Sequence, residues 1–147
     1  MIVYRHTQST YLWVFLVLAV DLLVFISVAA ASVGIALLWV PIAAASLVAI
    51  RAFSRLTVES TDEELSVHFG GSWPRRRIKL VEITAVERVR NSWWRGFGIR
   101  KIAKGWMWNV WGLDGVELRL VSGKRFRVGT DEPDALEAVL AVRIGLR

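Results

Sequence analysis

Two clusters of basic side chains have the residue types and spacing that could recognise a negative charge. Both adjoin tryptophan, and their members are Arg75, Arg76, Arg77 and Lys79 in the first, and Arg95, Arg100, Lys101 and Lys104 in the second. Each lysine or arginine held near an anionic membrane surface gains about 1 kcal/mol. The clusters therefore predict contact with anionic lipid headgroups or with an anionic partner. A solvated, solubilising surface accounts for the same residues equally well, and both interpretations stay open.

Tryptophan is concentrated beside the second cluster. Five of the eight tryptophans lie between residues 93 and 111. Trp106 and Trp108 share one face of a strand-like run, so that face is expected to be core, while Trp111 points the other way. Trp93, Trp94 and Trp111 are the predicted aromatic contacts with a membrane interface or a partner. Aromatic and basic residues together also suit single-stranded nucleic acid, but a membrane tether disfavours such a partner and none is expected.

A single carboxyl group, that of Asp21, interrupts an apolar stretch from Tyr11 to Ile50 that has no other acidic or basic side chain. A carboxylate is costly in hydrocarbon, so a residue of this kind is functional by default. Folding the stretch about residue 32 places Asp21 level with Ile42, beside Pro41, which leaves a backbone carbonyl without its donor. Packing against a neighbouring helix or subunit is favoured over proton transfer, because a proton relay needs a second group.

No arrangement of residues in the sequence indicates catalysis. The absence of cysteine excludes disulfides, thiolate chemistry and the usual structural zinc sites. His6 and His68 lie far apart, and no Ser-His-Asp arrangement accompanies either of them. The pair Gly96-x-Gly98 does not extend to a dinucleotide fingerprint. We expect a non-enzymatic protein without a metal or another cofactor.

The charge is distributed unevenly along the chain. The 147 residues are 54% hydrophobic and carry a net charge of +6. Among the first 50 residues, however, the only Lys, Arg, Asp or Glu residues are Arg5 and Asp21. The remaining 97 residues contain 18 Lys/Arg and 12 Asp/Glu. Such asymmetry is typical of a membrane segment joined to a water-facing domain. It argues against a single soluble domain, a disordered chain and a fibrous repeat.

The apolar stretch is too long for one membrane crossing. A helix of 40 residues would span about 60 Å, twice the hydrocarbon thickness, so two crossings are predicted. Small residues at 29–34 mark the turn, which puts the helices near 11–30 and 34–52, within a hairpin segment at residues 1–54. A signal peptide is the alternative, because Ala29-Ala30-Ala31 resembles a cleavage site, but its apolar core would be too long and would contain Asp21.

Positive charges flank the hairpin on one side only. Arg5 precedes the first helix, Arg51 and Arg55 follow the second, and the turn between the helices carries no charge. The positive-inside rule then predicts a multi-pass protein with both termini and residues 55–147 in the cytoplasm. Because the linker after Arg51 is only a few residues long, the domain is expected to lie close to the cytoplasmic leaflet.

Residues 55–147 have the pattern of a small β-rich domain. Runs with period-two alternation predict strands near residues 56–60, 65–69, 77–80, 83–89, 106–111, 116–121 and 125–128, with a polar connection at 90–104. A turn with Gly123 at positive φ joins the last two strands, which sets Glu117 opposite Arg127 on an outer face. A helix capped by Thr130 or Asp131 follows.

Seven short strands followed by one helix is the element order of a pleckstrin-homology (PH) barrel. The segments Gly96-Phe97-Gly98-Ile99-Arg100, Gly105–Val110 and Gly129-Thr130-Asp131-Glu132-Pro133 resemble small bacterial membrane proteins in which a PH-like domain follows a helical hairpin. The resemblance covers residues 56 to 143. It implies an α+β protein of the bacterial inner membrane: a transmembrane α-helical hairpin, then a PH-like antiparallel β-barrel of about seven strands with a C-terminal helix. It implies no catalytic residues.

The sequence departs at one turn from the PH domains that bind phosphoinositides. Those domains usually carry basic residues in the first hairpin loop, whereas the loop here, Ser60-Thr61-Asp62-Glu63-Glu64, is acidic. The resemblance therefore does not extend to that headgroup site.

Two functions are consistent with these features. The first is a non-enzymatic, membrane-anchored PH-like module that contacts the anionic leaflet or a protein partner. The second is an accessory or assembly subunit of a larger membrane complex, or a homo-oligomer, that packs through the hairpin and Asp21. A proton-linked transporter or enzyme using Asp21 is a third, although two helices with one acidic residue provide few groups for proton transfer.

Overall fold

The computed structural model describes residues 1–95 and 97–145, without the side chains of Trp13 and Arg95. Gly96, part of the motif that carries the PH resemblance, lies outside the described residues. The fold is α+β, as predicted. Its helices are α1 (Tyr11–Ala31), α2 (Val33–Leu37), α3 (Val40–Phe53) and α4 (Pro133–Gly145). Its strands are β1 (Ile2–Ser9), β2 (Arg55–Thr61), β3 (Glu64–Phe69), β4 (Arg75–Lys79), β5 (Ile83–Arg90), β6 (Gly98–Ile102), β7 (Gly105–Asn109), β8 (Asp114–Leu120) and β9 (Arg125–Gly129).

The apolar stretch folds into a pair of helices with one interruption. The chain turns at Ser32, whose backbone is extended, so α1 and α2 end and begin within one residue of the predicted bounds. The second helix is broken between α2 and α3 at Leu38 and Trp39. Pro41 causes this break, because it has no N–H to donate to the carbonyl of Leu37 one turn earlier. α1 packs against both α2 and α3.

The strands form two sheets. The first has four antiparallel strands in the order β1-β2-β3-β4, and the second has five in the order β5-β8-β9-β7-β6. Within the described residues the two sheets are not joined into a closed barrel, so the predicted barrel of about seven strands is wrong in closure and in strand number. The predicted antiparallel order also fails at one place, because β7 pairs with β9 in parallel. Alternation identifies strands but says nothing about which strands pair.

The first strand of the protein precedes the helix pair and was not predicted. β1 pairs with β2 in an antiparallel register from Ile2↔Thr61 to Ser9↔Arg55. The amide of Thr10 continues this pairing by donating to the carbonyl of Ser54 at 3.0 Å. The helix pair is therefore inserted between two neighbouring strands of one sheet, and both of its ends are anchored to that sheet.

A second unpredicted strand lies inside the segment expected to be a polar connection. β6 occupies Gly98–Ile102 at the edge of the five-stranded sheet, where it pairs with β7. Its sequence, Gly-Ile-Arg-Lys-Ile, has only two apolar side chains. An edge strand is half solvated and does not need a continuous apolar face, so hydrophobic alternation is a weak signal for it.

The core lies between the two sheets and beneath α4. The ring centroids of Phe69 and Trp108 are 5.4 Å apart, and those of Trp108 and Phe126 are 5.7 Å apart. From α4, Leu136 and Leu140 are fully buried in the same core. This core holds the two sheets in one body and fixes the edges that carry the candidate site.

The pairing of Glu117 with Arg127 is confirmed, as is positive φ at Gly123, but the surroundings of the pair differ from the prediction. Arg127 Nη2 donates to Glu117 Oε2 at 2.6 Å, and Arg125 Nη1 donates to Oε1 at 3.0 Å. Glu117 is only 3% exposed rather than on a solvated outer face. The two long arginine side chains lie over the carboxylate and remove it from water, which strand alternation does not reveal.

Candidate functional site

The junction between the helix pair and the sheets is a close contact rather than a flexible linker. The β3–β4 loop lies against the end of α3 at Gly70, where an added Cβ would clash with the carbonyl oxygen of Arg51. Phe53, the last residue of α3, packs its ring on Phe69 with centroids 5.4 Å apart. The loop that carries Trp73 is therefore held beside the end of the second helix.

A cavity of about 690 Å³ lies between the helix pair and the edge strand β6. Its lining comes mainly from apolar side chains of both helices and from the segment 97–100, including Val14, Val17, Ile50, Phe53 and Phe97. Phe97 stacks on Trp111 with ring centroids 5.1 Å apart. The structure thus brings the second aromatic and basic region beside the helices, near the ends that join the sheet.

Exposed tryptophans protrude from both segments that lie beside the helices. Trp93 is 79% exposed, Trp94 is 69% exposed, and Trp73 is 75% exposed. Trp111 is partly exposed and sits close to the start of α1, because Gln8 Nε2 donates to its carbonyl at 2.9 Å. So many large apolar side chains exposed at once are unusual in a purely water-facing surface.

Trp73 and Phe97 join the predicted tryptophans in this region. Each stands beside a basic cluster in the sequence, and the Gly70-Gly71 pair before Trp73 permits a close backbone approach but does not indicate the partner. The expectation for the strand face shared by Trp106 and Trp108 holds only for Trp108, which is buried, because Trp106 is exposed. Trp106 lies near the start of β7, opposite Lys101 of the edge strand β6, whereas Trp108 packs on Phe69 and Phe126 in the core.

The second basic cluster separates along β6. Arg100 and Lys101 line a cavity of about 340 Å³ together with Trp94 and Met107. Arg100 also lines the 690 Å³ cavity, and its Nε donates to the carbonyl of Phe97 at 3.0 Å. Lys104 lies in the β6–β7 turn, at the end of β6 opposite to Gly98. The predicted Arg95 has its side chain outside the described residues.

The cations of β6 and the β6–β7 turn are not compensated by carboxylates. In residues 1–95 and 97–145, Arg100, Lys101 and Lys104 form no ion pair with a carboxylate, whereas most other arginines do, such as Arg88 with Asp134 at 2.6 Å. A positive charge without a carboxylate partner is free to meet an external anion.

The first basic cluster is divided by the alternation of β4. Arg76 points inward, where its guanidinium carbon lies 4.6 Å from the centroid of the Phe126 ring, and burial lowers the pKa of Arg76. Arg77 is exposed and reaches Glu64 at 3.8 Å. Lys79 lies at the end of β4 remote from the β3–β4 loop, about 13 Å along the strand from Arg75. Only Arg75 is exposed beside that loop.

The acidic turn is satisfied within the protein. Asp62 accepts hydrogen bonds from Arg143 Nη1 at 2.6 Å and from the amino group of Met1 at 3.0 Å, and these two contacts lower the pKa of Asp62. The turn joins β2 to β3 at the end of the sheet away from the helices. It is the first tight turn between paired strands, as predicted, because β1 and β2 are connected through the helix pair.

Asp21 lines a separate cavity of about 370 Å³ between the helices, with Trp39, Val40, Ala43 and Ala44. This is the level along the second helix that folding about residue 32 predicts. Asp21 makes no hydrogen bond or ion pair with any residue that the structure describes. The Nε1–H of Trp39 is buried and likewise has no acceptor there. The cavity therefore contains an unmatched donor and an unmatched acceptor.

Strand β1 contributes a polar cluster that the sequence did not indicate. His6 Nε2 lies 2.6 Å from Asp131 Oδ1, and His6 Nδ1 lies 3.2 Å from Glu132 Oε2. Burial, together with the charges of Glu132 and Asp131, raises the pKa of the neighbouring Tyr4 to about 12. These contacts join the N-terminal strand to the start of α4. No group of three metal-binding side chains is placed to hold an ion in the described part of the chain.

By length and composition, two segments could cross a membrane: Val14–Ala31 and Val33–Phe53. None of the residues of the first segment and 6% of those of the second are buried inside the protein. Searches of family models, curated proteins and solved structures find no match to this chain. The PH-like resemblance therefore stays a prediction, and the function is argued from the geometry alone.

Proposed function

We propose that this protein is a non-enzymatic, membrane-anchored binding module whose β domain rests on the anionic leaflet beside its own helix pair. The observation that carries the proposal is the cavity shared by α1, α3 and residues 97–100. Arg100, which has no carboxylate partner among the described residues, lines this cavity at the ends of two helices that are apolar enough to span a bilayer, and Phe97 of the same lining stacks on Trp111.

Membrane insertion is supported by the exposure of the helices. Phe15, Leu23 and Leu38 are each at least 60% exposed, which in water would leave a large apolar surface unburied. A core helix of a soluble protein would be mostly buried. Cleavage of a signal sequence near residue 31 would also remove β1, which pairs with β2 along almost its whole length. A retained hairpin accounts for both observations.

A cytoplasmic domain is supported by the flanking charges. Because β1 and β2 are paired, the two ends of the helix pair lie on the same side. Arg5, Arg51 and Arg55 are on that side, while the turn around Ser32 has no charge. The positive-inside rule assigns the charged side to the cytoplasm of a bacterial inner membrane.

Leaflet contact is supported by the number and place of the free cations. Arg100 lines the cavity beside the helices, Lys101 lines the adjoining basic cavity, and Arg75 follows the β3–β4 loop. Three such charges contribute about 3 kcal/mol near an anionic surface. The exposure of Trp73 and Trp93 supports this contact, because exposed tryptophan rings favour the headgroup level of a bilayer. A neutral surface of the same shape would lack this preference for an anionic leaflet.

The experiment uses single cysteines, because the chain has none. A fluorophore is attached to Trp93→Cys and, as a matched control, to Ser122→Cys in the exposed β8–β9 turn, at the other end of the same sheet from Gly98. The full chain is reconstituted in bilayers with and without phosphatidylglycerol, and quenching by a headgroup-labelled lipid is measured. We expect stronger quenching at position 93 than at 122, increasing with phosphatidylglycerol. Equal quenching at both positions in both bilayers would refute leaflet contact.

A second function, that of a subunit packing through the hairpin, is favoured by one observation. Asp21 and the indole N–H of Trp39 share a cavity with small side chains and have no partners among residues 1–95 and 97–145. A polar side chain from a neighbouring helix would satisfy them. Asp21→Leu should then abolish co-purification of a partner or of a second copy in mild detergent, while Asp21→Asn retains it. A single monodisperse species unaffected by Asp21→Leu contradicts this function.

A further inference from the structure

The 690 Å³ cavity has the composition of an acyl-chain site. Its volume is within the range of about 300–1,000 Å³ that is typical of small-molecule sites. Its walls are Val14 and Val17 from α1, Ile50 and Phe53 from α3, and Ile99 from β6. If the helices insert in a bilayer, lipid acyl chains surround this cavity in excess and can enter it.

The same lining contains a polar group that lacks a partner. Thr10 is buried, and its Oγ1 finds no hydrogen-bond partner in the described residues. A buried hydroxyl without a partner is unfavourable, so such groups are normally satisfied by protein, water or ligand. Thr10 lies at the domain end of α1, where the ester region of a lipid would be found.

Arg100 connects this apolar cavity with a basic one. It lines both the 690 Å³ cavity and the 340 Å³ cavity that contains Lys101 and the Trp94 side chain. The bond from its Nε to the carbonyl of Phe97 fixes the guanidinium, and no carboxylate within the described ranges uses its remaining donors. A fixed guanidinium beside a lysine suits a phosphate group, which Arg can bind in a bidentate manner.

We infer that these two cavities form one discrete site for a single anionic phospholipid, with an acyl chain between the helix pair and β6 and the phosphate at Arg100 and Lys101. The inference rests on the proposed membrane insertion but goes beyond adhesion to a leaflet, because it requires one saturable lipid per chain. A zwitterionic lipid would offer the same chain with a less favourable headgroup, and inorganic phosphate would offer the anion without the chain.

The test is native mass spectrometry of the delipidated full chain in mild detergent, titrated separately with phosphatidylglycerol, phosphatidylcholine, oleate and inorganic phosphate. We expect one saturable phosphatidylglycerol adduct and weaker phosphatidylcholine binding. Arg100→Gln should weaken phosphatidylglycerol binding by about tenfold, the effect of losing one charge-assisted contact, and should weaken phosphatidylcholine binding less, because the choline of that lipid already offsets the charge of its phosphate. Lys124→Gln, at an exposed turn lysine, is the matched charge control and should change neither.

The acyl-chain half of the site is tested with two alanines of α3. Ala49 lines the 690 Å³ cavity, so Ala49→Trp should fill it and abolish both lipid adducts. Ala45 lies one turn earlier and lines none of the cavities described above, so Ala45→Trp adds the same side chain and should leave binding intact. Both variants are checked for a native-like thermal transition, and Arg100→Gln provides the independent variant.

Several results overturn the inference. They are phosphatidylglycerol binding that does not saturate at one lipid, adducts insensitive to Ala49→Trp, equal binding of oleate or inorganic phosphate, and capture of a protein segment instead of lipid. If one of these is found while the probe at position 93 is still quenched in bilayers, only the discrete lipid site is wrong. If that probe is not quenched, the proposed leaflet contact fails whatever the adducts are.

Discussion

The buried carboxylate of Glu117 makes a demanding test of the fold that supports the site. Arg127 binds its Oε2 through Nη2 at 2.6 Å and through Nε at 3.2 Å, while Arg125 binds Oε1 at 3.0 Å. Arg127 also donates to Asn91 Oδ1 at 2.8 Å, which connects β9 to the end of β5. Arg127→Met removes these bonds and keeps the length of the side chain, leaving a charged carboxylate with one partner.

The expected cost follows from burial. Removing one partner of a buried ion pair costs about 3–5 kcal/mol, because the remaining charge is left in a medium of low polarity. Glu117 has 4% of its side chain exposed, so the full penalty applies, but Arg125 retains one bond and can adjust because its side chain is 39% exposed. We therefore expect a loss near the lower limit, about 3 kcal/mol. Glu117→Leu combined with Arg127→Met removes both charges and should cost less than Arg127→Met alone.

The assay is a double-mutant cycle on the full chain in detergent, with urea unfolding followed by tryptophan fluorescence. Arg119→Met is the matched control, because Arg119 pairs with Glu87 at 2.8 Å with both side chains nearly half exposed. An exposed pair of this kind contributes about 0–1 kcal/mol. A loss for Arg127→Met no larger than that for Arg119→Met, or additive effects in the cycle, would show that Glu117 is not stabilised as described.

Three further predictions concern the junction and the ends of the sheet. Gly70→Ala should lower the thermal midpoint by several degrees, because its Cβ would meet a backbone carbonyl of α3. Gly71→Ala is the control and should be neutral, because the space around Gly71 is open. Equal thermal midpoints for the two variants would contradict the close contact at Gly70. The pKa of Tyr4 is raised from 10.0 to about 12, so stability should fall as the pH rises between these values. Absorbance at 295 nm should show a tyrosine titration near pH 12 that is absent in Tyr4→Phe, and a titration curve unchanged by Tyr4→Phe in this range contradicts the prediction. The contact with Arg143 lowers the pKa of Asp62. The contribution of Asp62 to stability is therefore present above the unfolded pKa of 3.8 and is lost as the pH falls through the folded pKa. An acid unfolding curve that is unchanged by Asp62→Asn would contradict this contribution.

Properties that depend on neighbouring residues could be predicted from the sequence. The helix pair follows from an apolar stretch of a given length, and its turn follows from the small residues around Ser32. The β8–β9 turn follows from Gly123, since positive φ is unfavourable for other residues, and the opposition of Glu117 and Arg127 follows from counting back from it. Each of these depends on residues within one continuous segment of the chain.

Pairing between distant strands could not be predicted in the same way. β1 is separated from its partner β2 by the entire helix pair, so no short-range pattern connects Ile2 with Thr61. The order β8-β9-β7 and the open edges of the two sheets are also decided by how side chains pack between the sheets, not by alternation within one strand. Because these pairings are not visible in the sequence, the alternation of the strands alone suggested a closed barrel.

The amino-acid sequence by itself determined that this protein has an apolar helical segment, a basic and tryptophan-rich β domain, and one carboxyl group within the apolar part. Only the tertiary structure decided which cations face the helices. It turns Arg76 inward over Phe126, places Lys104 at the far end of β6, and brings Arg100 to two adjoining cavities. The physical reason is that composition and periodicity act within one segment, whereas a binding site depends on which ends of separate segments are packed together.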